Sequence, residues 1–99
     1  MPTHDAYASF WRDWKQLTPE QQLRFLSAVR KFVHDLSSQR AFRPGLRVKG
    51  VEGAEGIFEM TWAQDGRATF EYGPEVRSGE AHIIWRRIGT HDDVSEIDR

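Results

Sequence analysis

A chain of 99 residues makes one domain with one hydrophobic core and leaves no room for a second. With 38% hydrophobic and 29% charged residues and a net charge of −1, it has the balance of an ordinary globular chain, neither membrane-embedded nor disordered. The absence of cysteine excludes disulfides, thiolate catalysis and zinc–thiolate sites; with no signal peptide and no apolar run near the roughly 20 residues of a membrane helix, a cytoplasmic protein is expected.

The stretch AYASFWRDW (6–14) is aromatic and loosely patterned, and reads either as a first strand or as the end of an arm. LTPEQQLRFLSAVRKFVHDLSS follows. Thr18 is a good N-cap, Pro19 suits the first helical position, and Gln21 completes a capping box. Leu26, Val29, Phe32, Val33 and Leu36 keep the helical i, i+3, i+4, i+7 spacing, and Phe25 widens the stripe. An amphipathic helix is predicted from Pro19 to Ser37, with Arg24, Arg30 and Lys31 on its solvated side. Ser37-Ser38 and Pro44-Gly45 then break it. LRVKGV (46–51) reads as a short strand or an extended approach to the sheet, and EGAEG (52–56) as a loop.

IFEMTWAQDGRATFEYG contains two alternating runs around a turn. A three-residue loop Gln64-Asp65-Gly66, with Gly66 left-handed in a G1 bulge, pairs Ala63 with Arg67, Met60 with Phe70 and Phe58 with Tyr72. All the large apolar residues then share one face. Glu59 and Glu71 face each other on the opposite side, where they repel. A cation lying over them, or a raised pKa on one, is therefore expected. Arg47, Lys49, Arg67, Arg86 and Arg87 are the candidates. A final strand, HIIWRRIGTH (82–91), closes a three-strand antiparallel meander. His82 reads as structural, and His4 and His34 as solvated.

Charge is unevenly spread. Residues 1–91 carry 13 Lys and Arg against 11 acids, or +2, while residues 92–99 carry four acids and Arg99, or −3. The body, 1–91, is the folded domain, and 92–99 is an acidic tail. An excess of +2 is small for a nucleic-acid binder.

Three stretches, in this order, resemble the RelE/ParE superfamily of small toxins from type II toxin–antitoxin pairs. They are FLSAVRKFVHDL, the pair FRPGLRVKGVEGAEGIFEM and GRATFEY, and the closing IIWRRIGTH, together spanning roughly residues 8–91. The resemblance implies a small α+β RelE-like fold. Its curved antiparallel sheet, here with a C-terminal three-strand meander, carries the N-terminal amphipathic helix on one face and a basic site on the other. No cofactor is expected, and no metal, since THDD (90–93) lacks supporting ligand spacing. The partners implied are a cognate antitoxin, helix-turn-helix or another small DNA-binding protein, and mRNA on the ribosome.

Members with endoribonuclease activity cut mRNA by attack of a ribose 2′-OH on the adjacent phosphate. The chemistry needs a base, an acid and fixed cations. Carried onto this sequence, the resemblance implies His91 and Glu59 as acid and base in either order, with Arg67 and one of Arg86 or Arg87 on the phosphate. Strand parity places Arg87 on the side of His91 and selects it. Arg47, Lys49 and the other arginine, Arg86, would hold the RNA backbone, and Tyr72 or Trp85 would stack a base. The ParE branch implies the alternative, a non-catalytic poison of DNA gyrase.

Overall fold

The structure is a computed structural model that describes residues 1–90. Its elements in chain order are β1 (Thr3–Ala6), α1 (Ala8–Trp14), α2 (Pro19–Ser37), a 3-10 turn (Pro44–Leu46), β2 (Lys49–Gly50), β3 (Phe58–Ala63), β4 (Gly66–Gly73) and β5 (His82–Thr90). The strands form one sheet in the order β1-β5-β4-β3-β2, antiparallel except for the parallel pair β1 and β5. The expected α+β architecture is present, and α2 has the predicted bounds.

The capping box is formed on both sides: Thr18 Oγ1 accepts from Gln21 N, and Gln21 Oε1 accepts from Thr18 N. The buried line of α2 is Phe25, Ala28, Phe32 and Asp35. Val29, Val33 and Leu36 flank it half-buried, whereas Leu26 is exposed. The helix is thus turned from the face its aliphatic residues predict, because its rings meet aromatics of the sheet. Phe32 lies 5.1 Å from Phe70 and 5.6 Å from Trp85, ring centre to ring centre, and Phe25 lies 5.3 Å from Trp85.

The segment 6–14 is neither strand nor arm. Its first residue ends β1, and Ala8–Trp14 form α1, with Phe10 buried and its ring 6.0 Å from that of Trp14. The i, i+4 spacing of Phe10 and Trp14 is the helical signal within this stretch. β1 itself, THDA, has no apolar alternation to announce it.

The hairpin keeps its predicted faces but not its register. Phe58 lies opposite Phe70 rather than Tyr72, and Met60 opposite Ala68 rather than Phe70. The turn is the two-residue Gln64-Asp65, closed by the pair Ala63–Gly66, and Trp62 is bulged between Thr61 and Ala63. The slip of two residues preserves the sheet's alternation, so Met60, Trp62 and Phe70 are still buried. Gly66 does not have positive φ. Its smallness serves a close approach, since a Cβ there would lie 2.5 Å from the Trp62 ring.

A second bulge, at Arg86, resets the alternation of β5. Trp85 and Ile88 both reach the core, and Arg87 is turned to the far face opposite Thr69. Among the described residues, no helix is long and apolar enough to cross a membrane.

Candidate nucleic-acid interface

The site begins with a buried carboxylate. Asp35, 6% exposed on the inner line of α2, accepts from Arg43 N at 3.0 Å, Nε at 2.9 Å and Nη2 at 2.8 Å. These hydrogen bonds hold the Asp35 carboxyl well below the usual carboxylate range. They also tie the chain beyond α2 back onto the helix and start the Pro44–Leu46 turn, which buries Leu46. The turn ends on Arg47 at φ 45° and ψ 45°, a left-handed conformation that costs a residue with a Cβ about 1 kcal/mol or more. β2 then pairs only with Phe58 and Glu59, leaving the turn to lie against the rest of β3.

Between this turn, α2 and the β3–β4 hairpin runs a groove of ≈ 590 Å³. Ala28, Leu46 and Trp62, all buried, contribute apolar surface. Arg24, Lys31, Arg43, Arg47 and Arg67 line it, and among the described residues no carboxylate does. Three of these cations have acidic partners: Arg24 with Glu20 at 2.9 Å, Arg43 with Asp35 at 2.8 Å, and Arg67 with Glu59 at 4.0 Å. Lys31 and Arg47 form no ion pair among the described residues. With acids absent from its lining, the groove has the electrostatics of an anion site.

Glu59 adjoins the groove. It is 8% exposed and lies 3.7 Å from Lys49 Nζ and 4.0 Å from Arg67 Nε. The Arg67 Nη1 donates to the carbonyl of Gly66 at 2.9 Å and, more weakly, to those of Ala63 and Gln64 at 3.4 Å, which fixes the guanidinium under the hairpin turn. Lys49, Glu59 and Arg67 thus lie together, and Arg47 shares the groove lining with Arg67.

Of the other expected members, Glu71, Arg86, Tyr72 and Trp85 are elsewhere, while Arg87 lies across Thr69 from Glu59 and is held by Asp13. Glu71 does not face Glu59, because the register slip puts Thr69 opposite Glu59 and Ile84 opposite Glu71. Each glutamate has its own cation instead. Glu71 is bound by Arg86 Nη1 at 2.7 Å and by the Tyr7 hydroxyl at 3.1 Å, and the Arg86 guanidinium sits 5.7 Å from the centre of the Tyr7 ring. Its near neighbour Arg87 is gripped by Asp13: Nε to Oδ2 at 2.6 Å and Nη2 to Oδ1 at 2.9 Å. The same Asp13 Oδ2 accepts from Ile88 N at 3.1 Å. The planar fork expected on a phosphate therefore braces α1 against the bulge of β5. Tyr72 lies on the α2 side of the sheet, at the end of β4 away from the hairpin turn, with Phe58 and Phe70 as ring neighbours. Trp85 is buried in the core and presents no face for a base. His91 lies outside the described residues.

The α2 wall was not anticipated. Arg24, Ser27 and Lys31 lie within two turns on one flank of the apolar stripe, so their common orientation was present in the spacing. That this exposed flank also looks across a groove to the Pro44–Leu46 turn depends on Asp35 and Arg43.

No protein-family model matches the sequence, and no curated protein does. Solved structures do match the fold. A metal-bound toxin from Helicobacter pylori superposes with a TM-score of 0.66 at 18% identity, covering 95% of this chain and 99% of that one. The DinJ–YafQ toxin–antitoxin complex of E. coli provides a match with a TM-score of 0.63 at 12% identity, over 94% of this chain and 96% of the other. The RelB–RelE antitoxin–toxin complex of Methanococcus jannaschii provides one with a TM-score of 0.59 at 14% identity, over 93% and 95%. Over nearly its whole length, this chain has the RelE-like fold.

Proposed function

We propose that the protein is the toxin of a type II toxin–antitoxin pair and an endoribonuclease that cuts mRNA on the ribosome. The observation that carries this reading is Glu59, with Lys49 and Arg67 beside it, next to a groove that Arg67, Arg47 and further cations line. In the reaction, the 2′-oxygen bonds to the adjacent phosphorus and the bond to the 5′-oxygen breaks. Glu59 takes the proton from the 2′-hydroxyl and His91 supplies one to the leaving 5′-oxygen, or the two exchange roles. Arg67, held rigid by the hairpin carbonyls, stabilises charge on the phosphate. Arg47 and Lys49 hold the backbone on either side. Asp13 leaves Arg87 a bracing role in this scheme. The partner is a cognate antitoxin, in keeping with the toxin–antitoxin complexes that share the fold.

A gyrase-directed toxin is the second reading. On its side stand the neutralised arginines of β5 and the small net charge of the body. Expression followed by primer extension on cellular mRNA, beside a gyrase supercoiling assay, separates the two. New 5′ ends that disappear with Arg47→Ala are expected, with supercoiling untouched. His91→Gln should lower cleavage by roughly 10²- to 10⁴-fold without unfolding the protein. Intact mRNA with inhibited supercoiling would transfer the function to gyrase.

A further inference from the structure

We propose that the α2 wall of the groove is a second phosphate subsite, in which Lys31 and Arg24, with Ser27 between them, bind the backbone of a single RNA strand. The inference rests on the RNA reading of the neighbouring Glu59 cluster and extends it to a surface that takes no part in the chemistry.

Three observations lead to it. First, the cations stand on both sides of the groove: Arg24 and Lys31 on α2, Arg47 and Arg67 on the turn and hairpin. A strand running between them is contacted from both walls. A double helix carries its phosphates on a convex surface and does not enter such a cleft. Second, Lys31 is exposed and without an ion pair among the described residues, and the carboxylate partner of Arg24, Glu20, is itself largely exposed. Neither cation is needed to neutralise a buried acid. Third, the aromatic ring that lines the groove, Trp62, is buried, and its indole Nε1 has no acceptor among the described residues. No exposed ring is offered for stacking, so the subsite reads backbone charge and not base identity.

The test uses the full chain and a short fluorescent 2′-O-methyl RNA oligonucleotide, which lacks the attacking hydroxyl and cannot be cut. Binding is followed by fluorescence anisotropy across a salt series. Each lost phosphate contact to a single strand should reduce the slope of log K against log salt by about 0.7 and weaken binding about five-fold near 0.1 M salt. Lys31→Gln should show both effects, and Lys31→Arg should restore them. Arg30→Gln, an exposed cation on α2 that does not line the groove, should show neither. Changing the oligonucleotide's base sequence should leave the affinity unchanged.

The proposal is overturned if the wild-type chain does not bind the oligonucleotide, if Lys31→Gln binds as the wild type does, or if Arg30→Gln loses as much. It is also overturned if polyglutamate displaces the strand equally well at equal charge, since the groove would then accept any acidic chain. Failure of the nuclease reading is distinguishable: the oligonucleotide would bind with the Lys31 dependence intact while mRNA stays uncut.

Discussion

The arginines of β5 and the cations of the groove are chemically alike and differ in what surrounds them. Arg86 and Arg87 each meet a carboxylate at hydrogen-bonding distance, Glu71 and Asp13. They work inside the fold, Arg87 bracing α1 and Arg86 covering Tyr7. Lys31 and Arg47 meet no such carboxylate among the described residues, and the segment that presents Arg47 does so in a left-handed conformation. A cation in a strand is thus no pointer to a phosphate. The better pointer is a cation whose conformation is costly and whose neighbours do not neutralise it.

The largest expected effect tests the platform beneath both groups. Phe32→Ala should cost about 3–5 kcal/mol in urea denaturation, because its fully buried ring packs on Phe42, Phe70 and Trp85. Little loss would mean that the aromatic layer does not hold α2 to the sheet. Asp13→Ala comes next, at about 2–4 kcal/mol, since it removes two hydrogen bonds to the Arg87 guanidinium and the acceptor of the Ile88 N–H together. It should not strengthen RNA binding. A variant as stable as the wild type that bound RNA more tightly would erase the contrast and return Arg87 to the site.

Asp35→Asn should cost less than Asp13→Ala, and its cost should depend on pH. Arg43 lowers the carboxyl pKa in the folded state, so the pair's contribution is complete above the ordinary aspartate value of 3.8 and fades as pH falls below it. The gap in melting temperature between wild type and variant should therefore be widest at neutral pH and narrow in acid. A gap independent of pH would remove the ion pair as its cause. Arg47→Gly should have the smallest effect on folding, within about 1 kcal/mol, because glycine relieves the left-handed strain while loosening the unfolded chain. Binding of the uncleavable oligonucleotide should still fall about five-fold. A stable variant with undiminished binding would show that Arg47 is not a ligand.

The local signals were legible. Thr18, Pro19 and Gln21 mark the start of α2, and alternation marks β3, β4 and their buried face, because caps and periodicity act over a few residues. The grouping of Lys49, Glu59 and Arg67 was also legible, since β2, β3 and β4 adjoin in sequence and on the sheet. What tertiary structure decided was register and partnership. Gln64 and Asp65 permit more than one hairpin register, and the packing of Trp62 over Gly66 accompanies the one observed. Arg87 lies across Thr69 from Glu59, but its guanidinium is taken by Asp13, a partner 74 positions away that no local pattern announces. β1 was invisible because a short polar strand is defined by the edge it pairs with. The α2 wall followed from one ion pair, buried Asp35 with Arg43, which folds the turn against a helix flank that its own composition marks as solvated. Each of these outcomes is a competition among alternatives of similar local energy, and contacts distant in the chain resolve it.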